Sequence, residues 1–314
     1  MNPLTGLYGA AVALRNALFD RGILPSRRLA KPVISVGNLA AGGAGKTPFV
    51  IALGELLQAR AIPFDVLSRG YRRRTRGVLV VDPEGAAADF GDEPLLIARR
   101  LGVPVIVGEN RYRAGQLAEQ KFRSQLHILD DGFQHRSLHR DFDIVLMTAG
   151  DLHDRLLPLG RLREPVSSLK RADAVVLAQD DPAEHPALQG RLVWRMKREI
   201  LLPSVPSNPV VFCGIARPQP FFAQLRAADI APAAEVVFRD HHAYDQSDIQ
   251  RLLAMRRDLG SAGFLTTEKD AVNLGPWRTE LEPVAIVMLK LTLDRPADLV
   301  DTILATIAER RPRS

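Results

Sequence analysis

A glycine-rich run, Gly42-Gly-Ala44-Gly45, leads straight into Lys46 and Thr47. Residue types in this order suit phosphate chemistry. Glycines allow backbone N–H groups to converge on phosphate oxygens, and a helix opening at Lys46 would add the partial positive charge of its N-terminus. Lys46 would then reach the outer phosphates of a nucleotide such as ATP, and the Thr47 hydroxyl would ligate Mg²⁺. Loops of this kind usually carry a glycine at position 40, where this chain has Ala40.

Asp130 and Asp131 end the apolar run Leu126–Leu129. A carboxylate at a strand tip beside a phosphate loop is placed to hold Mg²⁺ directly or through water. Neighbours on a continuing strand point to opposite faces, so both acids can face one ion only if the chain turns, which Gly132 permits. Asp92 and Glu93 sit where a helix is expected to begin, as a cap or as working carboxylates. Asp240, His241 and His242 follow a strand pattern and form a candidate proton relay. Arg69 and Arg111 each follow an apolar strand and would meet phosphate at the same edge of a sheet.

Elements able to position these groups are legible in the hydrophobic pattern. Strands are predicted at Val33–Val36, Phe64–Leu67, Val78–Val81, Val103–Val107, Leu126–Leu129, Ile144–Met147 and Ala174–Leu177. Helices are predicted between them at Thr47–Arg60, Glu93–Arg100, Tyr112–Phe122 and Ser167–Arg171. This alternation predicts an α/β fold, a P-loop NTPase-like and mostly parallel sheet flanked by helices, with ligands beyond the carboxyl ends of its strands. The proline-bearing stretch Leu201–Pro209 reads as a linker to a smaller α/β lobe. Three segments are therefore expected: an N-terminal helix in 1–28, a phosphate-binding core in 29–205 and a C-terminal lobe in 206–314. Two arginine runs, at 70–77 and 310–314, read as solvated turns or tails.

Composition excludes several classes. In a chain of 314 residues the lone cysteine, Cys213, rules out a disulfide framework and a cysteine-based zinc site. No cleavable signal and no spanning helix are expected from the hydropathy of the chain. The net charge of +6 points to an anionic partner. With aromatics at 6% and no nucleic-acid-binding signature, nucleic acid is not expected to be that partner. Near the start, Leu4, Leu7, Tyr8, Ala11, Leu14 and Leu18 share one helical face, with Arg21, Arg27, Arg28 and Lys31 following. Such a helix either lies in a membrane interface or packs on the core of its own protein.

Taken in order, Val36–Pro48, Leu67–Tyr71, Gly91–Pro94, Gly108–Arg111, Leu129–His135, Leu159–Pro165, Gly214–Pro218, Asp240-His241 and Thr266–Asp270 resemble the tetraacyldisaccharide 4′-kinase family. The resemblance spans nearly the whole chain. It implies an enzyme that transfers the γ-phosphate of ATP to the 4′-hydroxyl of a tetraacylated disaccharide 1-phosphate, making lipid IV-A in lipid A synthesis. It also implies Mg²⁺, a lipid A precursor as partner, and a peripheral position on the anionic cytoplasmic face of the bacterial inner membrane, with the N-terminal helix at the bilayer. Gly42 to Gly45 with Lys46 would hold the ATP phosphates, and Thr47 with Asp130 or Asp131 the Mg²⁺. Asp92 is implied as the base, acting with His241, while Arg69, Arg111 and Glu164 are candidates for substrate or metal-shell contacts.

A rival reading is a membrane-associated ATPase switch related to the partitioning ATPases. Those loops carry a signature lysine just before the double glycine, where this chain has Ala41.

Overall fold

The computed structural model describes residues 3–43, 45–181 and 185–311, so Ala44 of the glycine run lies outside the described residues. Helix α1 (Pro3–Asp20) precedes a first β/α series. This runs β1 (Val33–Asn38), α2 (Lys46–Ala59), β2 (Phe64–Ser68), β3 (Leu79–Val80), α3 (Ala87–Phe90), α4 (Asp92–Leu101), β4 (Val105–Val107), α5 (Arg111–Lys121), β5 (Leu126–Asp130), β6 (Phe142–Leu146), α6 (Ala149–Leu152), β7 (Ala174–Ala178) and β8 (Leu192–Leu201). A second series runs β9 (Val210–Cys213), α7 (Pro218–Ala227), β10 (Ala234–Val237), α8 (Gln246–Asp258), β11 (Phe264–Thr267), α9 (Glu268–Leu274), β12 (Val284–Leu293) and α10 (Pro296–Arg310).

All the strands join one sheet in the order β10-β9-β11-β12-β8-β7-β6-β1-β5-β2-β4-β3. Pairing is parallel except at β3 with β4 and β8 with β12. Strand β1 lies between β5 and β6, so the chain leaves it toward one side and later returns on the other. Such a reversal opens a crevice at the carboxyl edge, and the glycine loop follows β1 there. Strands β1, β2, β5 and β6 are buried along their whole length, as expected of a parallel sheet covered on both faces.

Helices α2, α4 and α10 cover one face of this sheet around Phe49, Leu53, Leu95 and Ile303. Helix α5 packs on the other, where Ala114 and Ala118 meet Leu67 and Leu129. Small residues on that helix let it approach the strands closely.

Some expectations required correction. Strand β8 was not anticipated, because its alternation is broken by Lys197, Arg198 and Glu199 on a strand with only one well-buried face. It pairs antiparallel with β12, which makes the sheet continuous from one β/α series to the other. The segment 167–171 lies in a 3₁₀ turn, not an α-helix. Of the terminal arginine run, Arg310 and Arg311 are not solvated tail: Arg310 pairs with Asp173 at 2.6 Å and Arg311 with the buried Asp141 at 2.7 Å, while 312–314 lie outside the described residues. Arg28 meets Asp141 as well, so one carboxylate ties the start of the core to its last helix.

Helix α1 rests on the core along one side. Tyr8 donates to the carbonyl of Arg163, Asn16 donates to Glu164, and Arg136 stacks over Phe19. Its other side exposes Leu4, Leu7 and Leu14, each more than 60% accessible. No helix among the described residues is long and apolar enough to cross a membrane.

Candidate active site

The loop after β1 explains the absence of a glycine at position 40. Ala40 is buried in an extended bridge with Leu162, and the flanking Leu39 carbonyl and Ala41 amide bond Arg163 and Arg161. Extended backbone needs no glycine. Positive φ comes later, at Gly42 (96°) and at Gly45 (83°), and at Gly45 a side chain would also strike the guanidinium of Arg198. Gly45 is also the N-cap of α2 and supplies no side-chain cap, so the first amides of α2 stay available to an anion.

Lys46 and Thr47 open α2, and Thr47 is buried. The Lys46 ammonium lies 3.1 Å from Asn38 Oδ1 and 3.4 Å from Asp131. Arg163 forks onto both oxygens of Asp131 at 2.9 and 3.1 Å and also donates to Asn38. Burial alone would raise the Asp131 carboxyl, but Lys46 and Arg163 outweigh it and hold the acid well below the ordinary carboxylate range.

The two aspartates do not alternate as on a strand. Asp130 is the last residue of β5, and Asp131 itself takes the left-handed conformation (φ 50°) that turns the chain. The turn therefore begins one residue before Gly132. Gly132 serves close packing instead, since a Cβ there would lie 2.5 Å from Ser35 Oγ. Asp130 accepts from Ser68 at 3.0 Å through Oδ2, while its buried Oδ1 has no hydrogen-bond partner. Burial and the nearby acids Glu93 and Asp131 push its carboxyl up to about 7. An orphaned carboxylate oxygen facing further acids fits a divalent cation. Among the described residues no group of three acids or imidazoles forms a closed metal site, so Mg²⁺ here would be shared with phosphate oxygens, as is usual for this ion.

Asp92 begins α4 and is 5% exposed. Its Oδ2 lies 2.7 Å from His241 Nδ1, and Asn273 donates to the same oxygen at 3.2 Å. Lys269 Nζ is 3.8 Å away. Burial would raise the Asp92 carboxyl, yet His241, Lys269 and Asn273 together leave it lowered. His241 reaches it from the loop after β10 in a left-handed conformation (φ 57°), with its ring edge-on to Tyr71 at 5.4 Å.

These groups line a cavity of about 700 Å³ between the two β/α series. Gly42, Gly43, Gly45, Lys46, Thr47, Arg69, Asp92, Asp130, Asp131 and His241 all border it. Arg111 does not: it is buried behind the wall, donates to the Glu109 carbonyl, and is pushed down to about 10 by burial and by Arg69. Glu164 is also away from the cavity. Its oxygens are taken by Arg171 and Asn16, so in this structure it anchors α1.

Sequence reasoning assigned no role to Arg163, Arg198, Lys269 or Asn273. A signal for the last two was present. Thr267 followed by Asp270 has the spacing of a helix N-cap, and Thr267 does accept from the Asp270 amide to start α9. A helix starting right after β11 puts Lys269 in its first turn, at the same edge of the sheet as the glycine loop.

A family profile described as tetraacyldisaccharide-1-P 4′-kinase matches residues 1–308. The chain is 49% identical to a tetraacyldisaccharide 4′-kinase of Koribacter versatilis, covering 99% of each chain. It is 38% identical to one of Aquifex aeolicus, covering 95% of each. Its fold is similar to the crystal structure of the "apo" form of LpxK from Aquifex aeolicus in complex with ATP, with a TM-score of 0.79, 35% identity and 97% of each chain covered. The chain belongs to the tetraacyldisaccharide 4′-kinase family.

Proposed function

We propose that this kinase moves the γ-phosphate of ATP onto the 4′-hydroxyl of the tetraacyldisaccharide 1-phosphate, and that Asp92 is the base. The observation that carries this reading is that the Lys46–Thr47 helix start and the Asp92–His241 pair border one cavity. Phosphoryl transfer needs positioning and charge neutralisation more than covalent help. The loop amides, Lys46 and the first turn of α2 hold phosphate oxygens. Thr47, Asp130 and Asp131 would hold Mg²⁺, which when bound neutralises charge on the phosphates. A lowered carboxyl is ionised at neutral pH, so Asp92 is ready to take the sugar hydroxyl proton. As it does so, the sugar oxygen forms its bond to γ-phosphorus and the bond to the ADP oxygen breaks.

Residues 29–205 supply the phosphate side of this site and residues 206–314 the covering side, with His241. Arg69 faces the cavity and suits the anionic substrate, with Arg111 behind it adding positive potential. The protein works as a peripheral enzyme on the cytoplasmic face of the inner membrane, its lipid substrate entering beside α1. Three exposed leucines buried at about 1.5–3 kcal/mol each would favour the interface by on the order of 5 kcal/mol. The basic surface favours anionic lipid in addition.

Incubation with γ-labelled ATP and the disaccharide 1-phosphate lipid, followed by chromatography, tests the reading. Label should appear in a bisphosphorylated lipid. ATP hydrolysis with unlabelled lipid would instead support the nucleotide-switch alternative.

A further inference from the structure

Lys269 stands where it can dictate which nitrogen of His241 carries the proton. Its Nζ is 2.7 Å from Asp240 Oδ1 and 3.3 Å from His241 Nε2, and the side chain is 17% exposed. An ammonium has hydrogens to donate and no lone pair to accept. The 3.3 Å contact makes His241 Nε2 the acceptor, since the Asp240 carboxylate oxygen nearest that nitrogen lies beyond hydrogen-bond reach at 3.6 Å. The ring proton then sits on Nδ1, aimed at Asp92 Oδ2 at 2.7 Å. Asp240 fixes the ammonium from the other side, and α9 is itself pinned to α4 by the Glu268–Arg100 ion pair and the Asn273–Asp92 bond. Oδ2 of Asp92 is thereby surrounded by donors, whereas Oδ1 has the Glu93 amide at 2.9 Å as its partner.

We propose that Lys269 is a positioning residue that locks His241 as the Nδ1–H tautomer, so that Asp92 Oδ2 is held by the ring and Oδ1 is the oxygen that takes the hydroxyl proton. This rests on the reading of Asp92 as the base. Without the ammonium, the Asp240 carboxylate, 3.6 Å from Nε2, competes with Asp92 for the ring proton. An Nε2–H ring would turn a lone pair toward the Asp92 carboxylate, repelling it and letting it swing from its bearing. Misplacement of a reacting group by about 1 Å can cost ~10²-fold in rate.

Full-length Lys269→Met and Lys269→Gln would be compared with the unsubstituted protein. Gln keeps an N–H donor at the site without the charge, and Met keeps neither. In ¹⁵N-histidine-labelled protein, long-range ¹⁵N–¹H spectra without substrate, assigned with His241→Asn, should show Nδ1–H for the native and Gln forms. The Met variant should show an Nε2–H or averaged pattern. Its kcat should fall about 10- to 100-fold with the KM for ATP within about twofold, and Gln should recover much of the loss. An unchanged Nδ1–H signature in the Met variant overturns the proposal. So does a raised KM for ATP with kcat intact, which would make Lys269 a phosphate contact. If Lys269→Met does not fold, the Gln variant decides: a lost Nδ1–H signature there, with the donor retained, also overturns it. Because the spectra need no turnover, they remain decisive even if Asp92→Ala proves active and the base assignment fails.

Discussion

The guanidinium of Arg72 donates to the main-chain carbonyl of Asp240 at 2.8 Å, so the loop after β2 grips the backbone beside His241. A longer contact, 3.4 Å, reaches the His241 carbonyl itself. The grip joins two loops from opposite sides of the cavity. Arg72→Ala should lower kcat about tenfold, the equivalent of one charge-assisted hydrogen bond of ~1.4 kcal/mol, with little change in melting temperature. Steady-state kinetics beside thermal melts measure both, and a large drop in melting temperature would assign Arg72 to the fold instead.

Asp92 and His241 should act as one unit. Either substitution to Ala should cost ~10²- to 10⁴-fold in kcat, and the double variant far less than the product of the two losses. A double-mutant cycle on kcat checks this. Losses that multiply independently would break the pair.

Lys46→Ala should reduce turnover by ~10²-fold or more while the protein keeps its melting temperature. The side chain touches Asn38 and Asp131 and fills no core space, and Arg163 still holds Asp131 in its absence. Near-native turnover would remove Lys46 from the phosphate site.

Metal-free stability should fall with rising pH because of Asp130. Its carboxyl is pushed up to about 7, so the folded chain binds this proton more tightly than the unfolded chain. That preference is complete below an unfolded value of ~3.9, fades between ~4 and ~7, and is gone above. Melts in EDTA from pH 5 to 8 should show a smaller decline for Asp130→Asn than for the native protein. Parallel declines would contradict the raised carboxyl assigned to this acid.

Leu7→Glu with Leu14→Glu should weaken binding to anionic vesicles without lowering the melting temperature, since both leucines point away from the core. Sedimentation with vesicles and thermal melts test this. Vesicle binding that survives intact would shift the lipid contact to another surface.

The placement of Gly45, Lys46 and Thr47 at a helix start, and of Asp130 and Asp131 at a strand tip, could be read before folding, because it depends on neighbours in sequence. The covering side was harder. Lys269 and Asn273 matter through a helix of seven residues, too short to show a clear period. The tie between Arg163 and Asp131 depends on a bridge from Ala40 to Leu162, which no local pattern announces. Glu164 was marked for the substrate and instead anchors α1, since a buried acid between an arginine and an asparagine leaves no trace in sequence. Strand β8 was missed because charged residues interrupt its alternation.

The pairing of β8 with β12, and the return of α10 to α2, set an order of events on the ribosome. Strands β1, β2, β5 and β6 emerge early, yet Trp194 and Met196 on β8 and the part of α2 that meets β12 and α10 stay uncovered until those two elements, with Leu291, Leu299 and Ile303, have been translated. A nascent chain stalled before that point presents an open strand edge and an oily helix together, a ready target for chaperones or for self-association. The end of α10, latched by the following Arg311 to Asp141, is thus the moment at which the first β/α series becomes a finished object.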